Sequence, residues 1–169
     1  VLSWLIRICI GETSMKLIIQ IPCFNEEKTL AQTIRDLPTR IDGIDTIEYL
    51  IINDGSTDNT AGIARQAGVH HLISFTNNKG LAKGFMAGLD ACIRLGADII
   101  VNTDADNQYC GADIGKLIQP ILEGNADIVV GERPIDDTSH FSWQKKKLQH
   151  IGSWVVKVAS KTKVPDAPS

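Results

Sequence analysis

The chain should fold as an α/β domain whose sheet is mostly parallel and flanked by helices. Three observations predict this. Short apolar runs alternate with stretches of helical periodicity five times along the sequence. The runs are apolar throughout, without the in–out alternation of a half-exposed strand, as strands covered on both faces should be. Clusters of Gly, Asn, Asp and Pro punctuate the junctions.

Taken in order, Lys16 to Ile21 reads as the first strand of this pattern, stopped by Pro22. Pro22 to Glu27 then forms a loop. A helix follows over about residues 26–37, with Leu30, Ile34 and Leu37 on one face and Glu26 and Glu27 in its first turn. The second strand is Ile47 to Ile52. After it, Thr57 or Asp58 caps a helix that carries Ile63, Ala64 and Ala67 and closes at Gly68. His70 to Phe75 is a third strand, and both histidines read as structural.

Asn77 to Gly80 is a turn. The longest helix runs from Leu81 to Leu95, spans roughly 22 Å, and buries Leu81, Phe85, Leu89 and Cys92. Asp98 to Thr103 is the fourth strand. Ile114, Leu117, Ile118 and Ile121 form the inner face of a helix that ends at Gly124. Asp127 to Val130 reads as a fifth strand, Pro134 to Ser142 as a loop, and Gln144 to Ser160 as a helix.

The chain has 169 residues, enough for one domain with a sizeable core. A hydrophobic share of 43% and a charged share of 22% describe a globular chain. A net charge of −3 argues against a nucleic-acid partner held by bulk charge. Cys9, Cys23, Cys92 and Cys110 form no C-x-x-C pair and read as thiols of a reducing compartment. That places the protein in the cytoplasm or on the cytoplasmic face of a membrane. Residues 1–14 are expected to be a leader, spurious or disordered, ahead of Met15. Residues 15–169 form the domain, which looks cut short at its C-terminal end. No run of 18 apolar residues occurs.

The chemistry gathers at the strand ends. Asn25 and Glu26 follow the first strand, Asp54, Ser56 and Asp58 the second, Asp104, Asp106 and Gln108 the fourth, and Glu132 and Arg133 the fifth. In an open parallel sheet these positions share one edge, where ligands bind. Asp104 and Asp106 repel each other across Ala105, and a divalent cation such as Mg²⁺ or Mn²⁺ would relieve that repulsion. Gln108 offers a neutral oxygen nearby. With Arg133 and Lys83, this edge suits a nucleoside diphosphate.

Plainer readings stand beside these. Asp54-Gly55-Ser56 also makes a turn and cap, Arg133 a surface ion pair, and Lys145 to Lys147 a solvated helix face. Phe141 and Trp143 beside those lysines fit a membrane surface. No P-loop, G-x-G-x-x-G or G-x-S-x-G motif occurs. An EF-hand loop from Asp104 fails at Tyr109 and Gly115.

Four motifs in order carry a resemblance: Ile21-Pro22-Cys23-Phe24-Asn25-Glu26-Glu27, Asn53-Asp54-Gly55-Ser56-Thr57-Asp58, Asn78-Lys79-Gly80 and Asp104-Ala105-Asp106-Asn107-Gln108. Together they resemble the family 2 glycosyltransferases, most of all the dolichyl- and polyprenyl-phosphate sugar transferases of cell-wall or glycolipid synthesis. The match runs from Lys16 to Ser169.

The resemblance implies a GT-A fold with a Rossmann-like sheet, a UDP- or GDP-sugar donor, Mg²⁺ or Mn²⁺, and inversion at the anomeric carbon. It also implies a lipid-phosphate acceptor at a membrane surface, or another glycan acceptor. By matching motif, Pro22, Phe24 and Glu26 would line the base and ribose pocket, and Asp54 would contact the base. Asp104 would lie by the ribose and metal, and Asp106 and Gln108 would ligate the metal. Arg133 would sit by a phosphate. Asp166 and Ser169 match the start of the family's D-x-x-S-G-F-R stretch, whose Gly-Phe-Arg is missing here. Asp166 is the base if the acceptor is a hydroxyl. Two rivals remain: a non-catalytic nucleotide-binding domain, and a phosphatase using Asp104 as nucleophile.

Overall fold

A computed structural model describes residues 14–131 and the backbone of residues 5–7. The elements run β1 (Leu5–Arg7), β2 (Lys16–Cys23), α1 (Leu30–Asp36), β3 (Thr46–Asn53), α2 (Thr60–Gln66), β4 (His71–Ser74), α3 (Leu81–Arg94), β5 (Ile99–Asn102) and α4 (Asp113–Leu122). The compact unit they form lies within Ser3–Val129.

The sheet order is β1-β5-β2-β3-β4. β2, β3, β4 and β5 are parallel, so the predicted fold class holds. β1 pairs antiparallel with β5, Leu5 opposite Val101. The chain moves outward from β2 to β3 to β4 and then crosses back to lay β5 on the other side of β2. That reversal is a topological switch point, where strand-end loops part and leave a crevice.

The central strands alternate between two buried faces, which is why they read as unbroken apolar runs. Leu17, Ile19 and Ile21 of β2 pack with Ile51, Val101, Leu30, Ile34, Ala64 and Ile118, under α1, α2 and α4. Ile18 packs with Leu50, Ile52, Ile100 and Cys92, under α3. Each fully buried Ile or Leu contributes about 1.5–3 kcal/mol from burial.

Several predicted details change. β2 does not stop at Pro22 but continues to Cys23. The Thr103 amide donates to the Gln20 carbonyl and the Asp54 amide to the Cys23 carbonyl. Even-numbered residues of β2 therefore face β5 and odd-numbered ones face β3. Pro22 turns its missing N–H toward β5, which has already ended at Asn102, so no existing bond is lost.

α1 starts at Leu30 rather than Glu26, and neither Glu26 nor Glu27 lies in its first turn. β4 is shorter than expected, His71–Ser74, and both histidines prove structural. His70 Nδ1 accepts the Tyr49 amide at 3.0 Å, and His71 Nε2 pairs with Glu48 at 2.8 Å.

α3 does not bury Leu81, which is 61% exposed. The residues it sets against the sheet are Gly84, Gly88 and Cys92, with Phe85 and Leu89 half-buried. A Cβ at Gly88 would strike Gln20 Oε1 and lie 2.9 Å from Ile52 Cδ1, so the helix backbone itself forms the contact. The fifth predicted strand does not form: Asp127 to Val130 holds one bridge residue, Val130, and Ile128 and Val130 are exposed. The expected helix over residues 144–160 and the loop over residues 134–142 lie outside the described residues, as do Phe141, Trp143 and Lys145 to Lys147.

Candidate functional site

Asn53, Cys23 and Ser74 end their strands level with one another, because Cys23 pairs with Asn53 and Asn53 with Ser74. β5 stops short, with Asn102 level with Gln20. β2 thus overhangs β5 at the switch point, and the predicted polar segments line the resulting notch.

The segments after β2 and β3 are joined by an array of hydrogen bonds. Asn25, at φ 58°, accepts the Thr57 amide on Oδ1 at 2.8 Å, while its own amide donates to Ser56 Oγ at 3.0 Å. Asn tolerates that left-handed backbone better than most residues. The Glu26 amide donates to Thr60 Oγ1 at 2.8 Å, and the Glu27 amide to Asp58 at 3.1 Å. Glu27 returns the contact by accepting the Asn59 amide at 3.0 Å. Asp58 also accepts the Thr60 amide at 3.0 Å, one residue ahead of the α2 cap at Asn59. The two acidic residues expected in the first turn of α1 therefore serve the loops instead. Glu26 keeps its carboxylate local, accepting from Thr29 Oγ1 at 2.7 Å.

Asp54 is 4% exposed. Its carboxylate accepts the Lys79 amide at 2.7 Å and the Gly80 amide at 2.9 Å. Gly55, at φ +68°, lies against the backbone of Asn77 and Asn78, with no room for a Cβ. The Asp-Gly pair after β3 thus holds the turn that launches α3. Lys83 is exposed in the first turn of that helix. Lys79 places Nζ 4.5 Å from the centre of the Phe75 ring.

Across the notch, Asp104 and Asp106 are half-buried and flank the buried Ala105. Asp106 Oδ1 accepts the Gln108 amide at 3.1 Å, and the Gln108 side chain is exposed. The Cys23 thiol, at the end of β2, reports how closely the carboxylates crowd here. Burial pushes its pKa far above the ordinary value, and the charges of Glu26, Asp104 and Asp58 push it further. This thiol stays protonated and is no nucleophile. Phe24 stands 45% exposed at the same edge, and Pro22 is half-buried.

The structure therefore brings together Pro22, Phe24, Glu26, Asp54, Lys83, Asp104, Asp106 and Gln108 along one edge. Arg133, Glu132 and Asp166 lie outside the described residues. Sequence reasoning missed Thr60 and Thr33, both buried. Their one signal is a Thr at an inward helical position, as Thr33 is between Leu30, Ile34 and Leu37.

Among the described residues, no group of three or more His, Cys, Asp or Glu side chains could hold a metal ion. The donor set that is present, two carboxylates one residue apart, still fits a hard cation that takes its remaining ligands from phosphate and water. Nor is any helix among the described residues long and apolar enough to cross a membrane.

Comparison with known proteins places this geometry. The chain is 34% identical over 129 residues to the UDP-N-acetylglucosamine–dolichyl-phosphate N-acetylglucosaminyltransferase of Methanococcus voltae, covering 67% of this chain and 50% of that protein. It is 24% identical over 140 residues to the polyprenol monophosphomannose synthase of Mycolicibacterium smegmatis, covering 80% and 51%. The chain spans about half the length of the curated relatives it matches first.

Among solved structures, glucosyl-3-phosphoglycerate synthase from Mycobacterium tuberculosis, in complex with Mn²⁺, UDP and glucosyl-3-phosphoglycerate, aligns with a TM-score of 0.53 and 25% identity. That alignment covers 64% of this chain and 40% of the synthase. Its fold is the GT-A arrangement of a parallel sheet between helices. The family described as Glycosyl transferase family 2 matches residues 18–164, so the chain belongs to glycosyl transferase family 2.

Proposed function

We propose that this chain carries the domain of an inverting glycosyltransferase that moves a sugar from a nucleoside diphosphate to a polyprenyl or dolichyl phosphate or another glycan acceptor. One observation carries the reading: the base-side residues Phe24, Glu26 and Asp54 and the acidic pair Asp104 and Asp106 flank the same notch at the switch point of the sheet. The names of the relatives support a lipid-phosphate acceptor and a UDP donor, and the synthase complex supports UDP with Mn²⁺. UDP is therefore the first donor base to test and GDP the second.

In this reading Phe24 and Pro22 give the base an apolar wall, and Glu26 takes a ribose hydroxyl. Asp54 fixes the turn beneath the base and offers it a remaining lone pair. Asp104, Asp106 and Gln108 would hold Mg²⁺ or Mn²⁺ against the diphosphate, where the cation supplies Lewis-acid stabilisation of the leaving group. Lys83 adds positive charge on the donor side, and Arg133 adds it beside the diphosphate or the acceptor phosphate.

The reaction is a single displacement. An acceptor oxygen forms the new bond to the anomeric carbon, and the old bond to the diphosphate oxygen breaks on the opposite face, with its electron pair leaving on the nucleotide. A lipid phosphate arrives already anionic and needs no base. A hydroxyl acceptor would need one, and Asp166 is the candidate. A lipid-phosphate acceptor would bring the protein to the surface of a membrane.

The test is to incubate the protein with Mn²⁺, a polyprenyl phosphate and labelled UDP- or GDP-sugars. Transfer of label to the lipid with inverted configuration supports the proposal. Tight nucleotide binding without transfer to any acceptor would instead mark a nucleotide-binding domain.

A further inference from the structure

We propose that Thr33, on the buried side of α1, is a positioning residue that sets the Asp104–Asp106 turn for its divalent cation. The inference rests on the reading of that pair given above. Helical spacing puts Leu30, Thr33, Ile34 and Leu37 on the inner face of α1. Three are apolar and pack into the core, while Thr33, at 5% exposure, carries a hydroxyl into it.

That hydroxyl lies 2.9 Å from the carbonyl of Ala105 and 3.2 Å from that of Thr29. It has one proton to give. The Thr29 carbonyl already accepts the Thr33 amide at 3.0 Å. Ala105 is 3% exposed, and its carbonyl belongs to the residue between the two aspartates. Giving the proton to Ala105 satisfies a buried acceptor 72 residues away and fixes the peptide that links the two carboxylates.

The rest of the last turn of α1 supports the same segment. Asp36 accepts Asn107 Nδ2 at 3.1 Å, which holds a residue at φ 57°. Gly111 lies against the Asp36 carbonyl with no room for a Cβ. The loop that carries the acidic pair is therefore seated on α1 at Ala105, Asn107 and Gly111. Mg²⁺ and Mn²⁺ are exacting about ligand direction, and groups that orient ligands commonly change metal affinity 10–100-fold when removed. A tilt of the Ala105 peptide would turn both carboxylates at once.

The experiment is calorimetric titration of UDP into the full chain at stepped Mn²⁺ concentrations, for wild type, Thr33→Val and Thr33→Ser. Thr33→Val keeps the shape and removes the hydroxyl. It should need roughly tenfold more Mn²⁺ for half of the metal-induced gain in UDP affinity, with metal-free UDP affinity unchanged. Thr33→Ser should restore the wild-type midpoint. A role confined to packing would lower the melting temperature and leave the Mn²⁺ midpoint in place.

A wild-type midpoint in Thr33→Val, or equal impairment in Thr33→Ser, overturns the proposal. If Thr33→Val does not fold, the exposed Asp36→Ala variant must shift the midpoint in the same direction, and an unshifted midpoint there overturns it as well. If wild type itself binds UDP with no response to Mn²⁺, the reading of the acidic pair falls and the role of Thr33 falls with it. If wild type responds and Thr33→Val responds identically, the role of Thr33 alone is lost.

Discussion

The Asp54 carboxylate accepts the backbone N–H of Gly80 at 2.9 Å, across 26 residues of sequence. With the Lys79 amide on its other oxygen, the side chain joins the end of β3 to the start of α3. Asp54 thus has a structural duty alongside its proposed contact with the base.

Asp54→Ala is expected to lower stability as well as nucleotide affinity. It strips two amides of a charged acceptor, and each such bond contributes about 1.5–3 kcal/mol. For a chain of this size each kcal/mol lowers the melting temperature by about 2–4 °C. Asp54→Asn, with one acceptor oxygen, should fall between the two. Thermal melts with and without UDP separate the effects, and an unchanged apo melting temperature in Asp54→Ala would contradict the structural role.

Gly55→Ala should be destabilising even though the residue is at a turn. At φ +68° a Cβ costs about 1–2 kcal/mol by itself. Here it would also meet the backbone of Asn77 and Asn78, which cannot yield as a flexible side chain would. Urea unfolding should show a lower midpoint. A midpoint equal to wild type would mean the two loops are not in contact in solution.

Asp106→Asn should abolish the metal-dependent part of donor binding, and Asp104→Asn should weaken it. Without metal the two charges repel a diphosphate. With metal they would hold a cation that offsets that repulsion. Affinity for UDP should rise on adding Mn²⁺ or Mg²⁺ and return to baseline with a chelator, as calorimetry can follow. Indifference of the wild-type protein to metal would refute the role of the pair.

Acid stability should depend on Glu48, far from the notch. Partial burial pushes its carboxyl up, but hydrogen bonds from Lys16 and His71, and then their charges, bring the net below the ordinary value. Lys16 Nζ lies 2.9 Å from Glu48. A carboxyl lowered on folding stabilises above its unfolded pKa, about 4.3, and loses that contribution as pH falls through the folded value. The melting difference between wild type and Glu48→Gln should therefore be full at pH 6 and fade below about pH 4. A difference that persists undiminished at the lowest pH would rule this out.

Much of the fold was legible because burial on both faces leaves a plain mark: apolar runs such as Ile99 to Val101, each closed by polar turn residues. The misreadings have physical causes. Ile128 to Val130 looks like those runs, but three apolar residues carry no information about a partner strand. Leu81 fits the helical stripe of α3, yet the helix meets the sheet through Gly84 and Gly88, and hydrophobic periodicity gives glycine no weight.

The edge holding the candidate site was also legible, since strands that alternate with helices run parallel and end on one edge. What ties the site together was not. Asn25 meets Thr57 and Thr33 meets Ala105 across 32 and 72 residues, and no local pattern announces such pairs.

Pro22 gives the notch a permanence that a stagger of strand lengths alone would not. In a parallel ladder the rung after Thr103 amide to Gln20 carbonyl would run from the amide of residue 22 to the carbonyl of Thr103. Proline has no hydrogen to offer there. The segment after β5 cannot zip further along β2, so the backbone is kept from consuming the gap as added sheet. The mouth of the site stands open by a covalent property of one ring, before any ligand arrives to prop it.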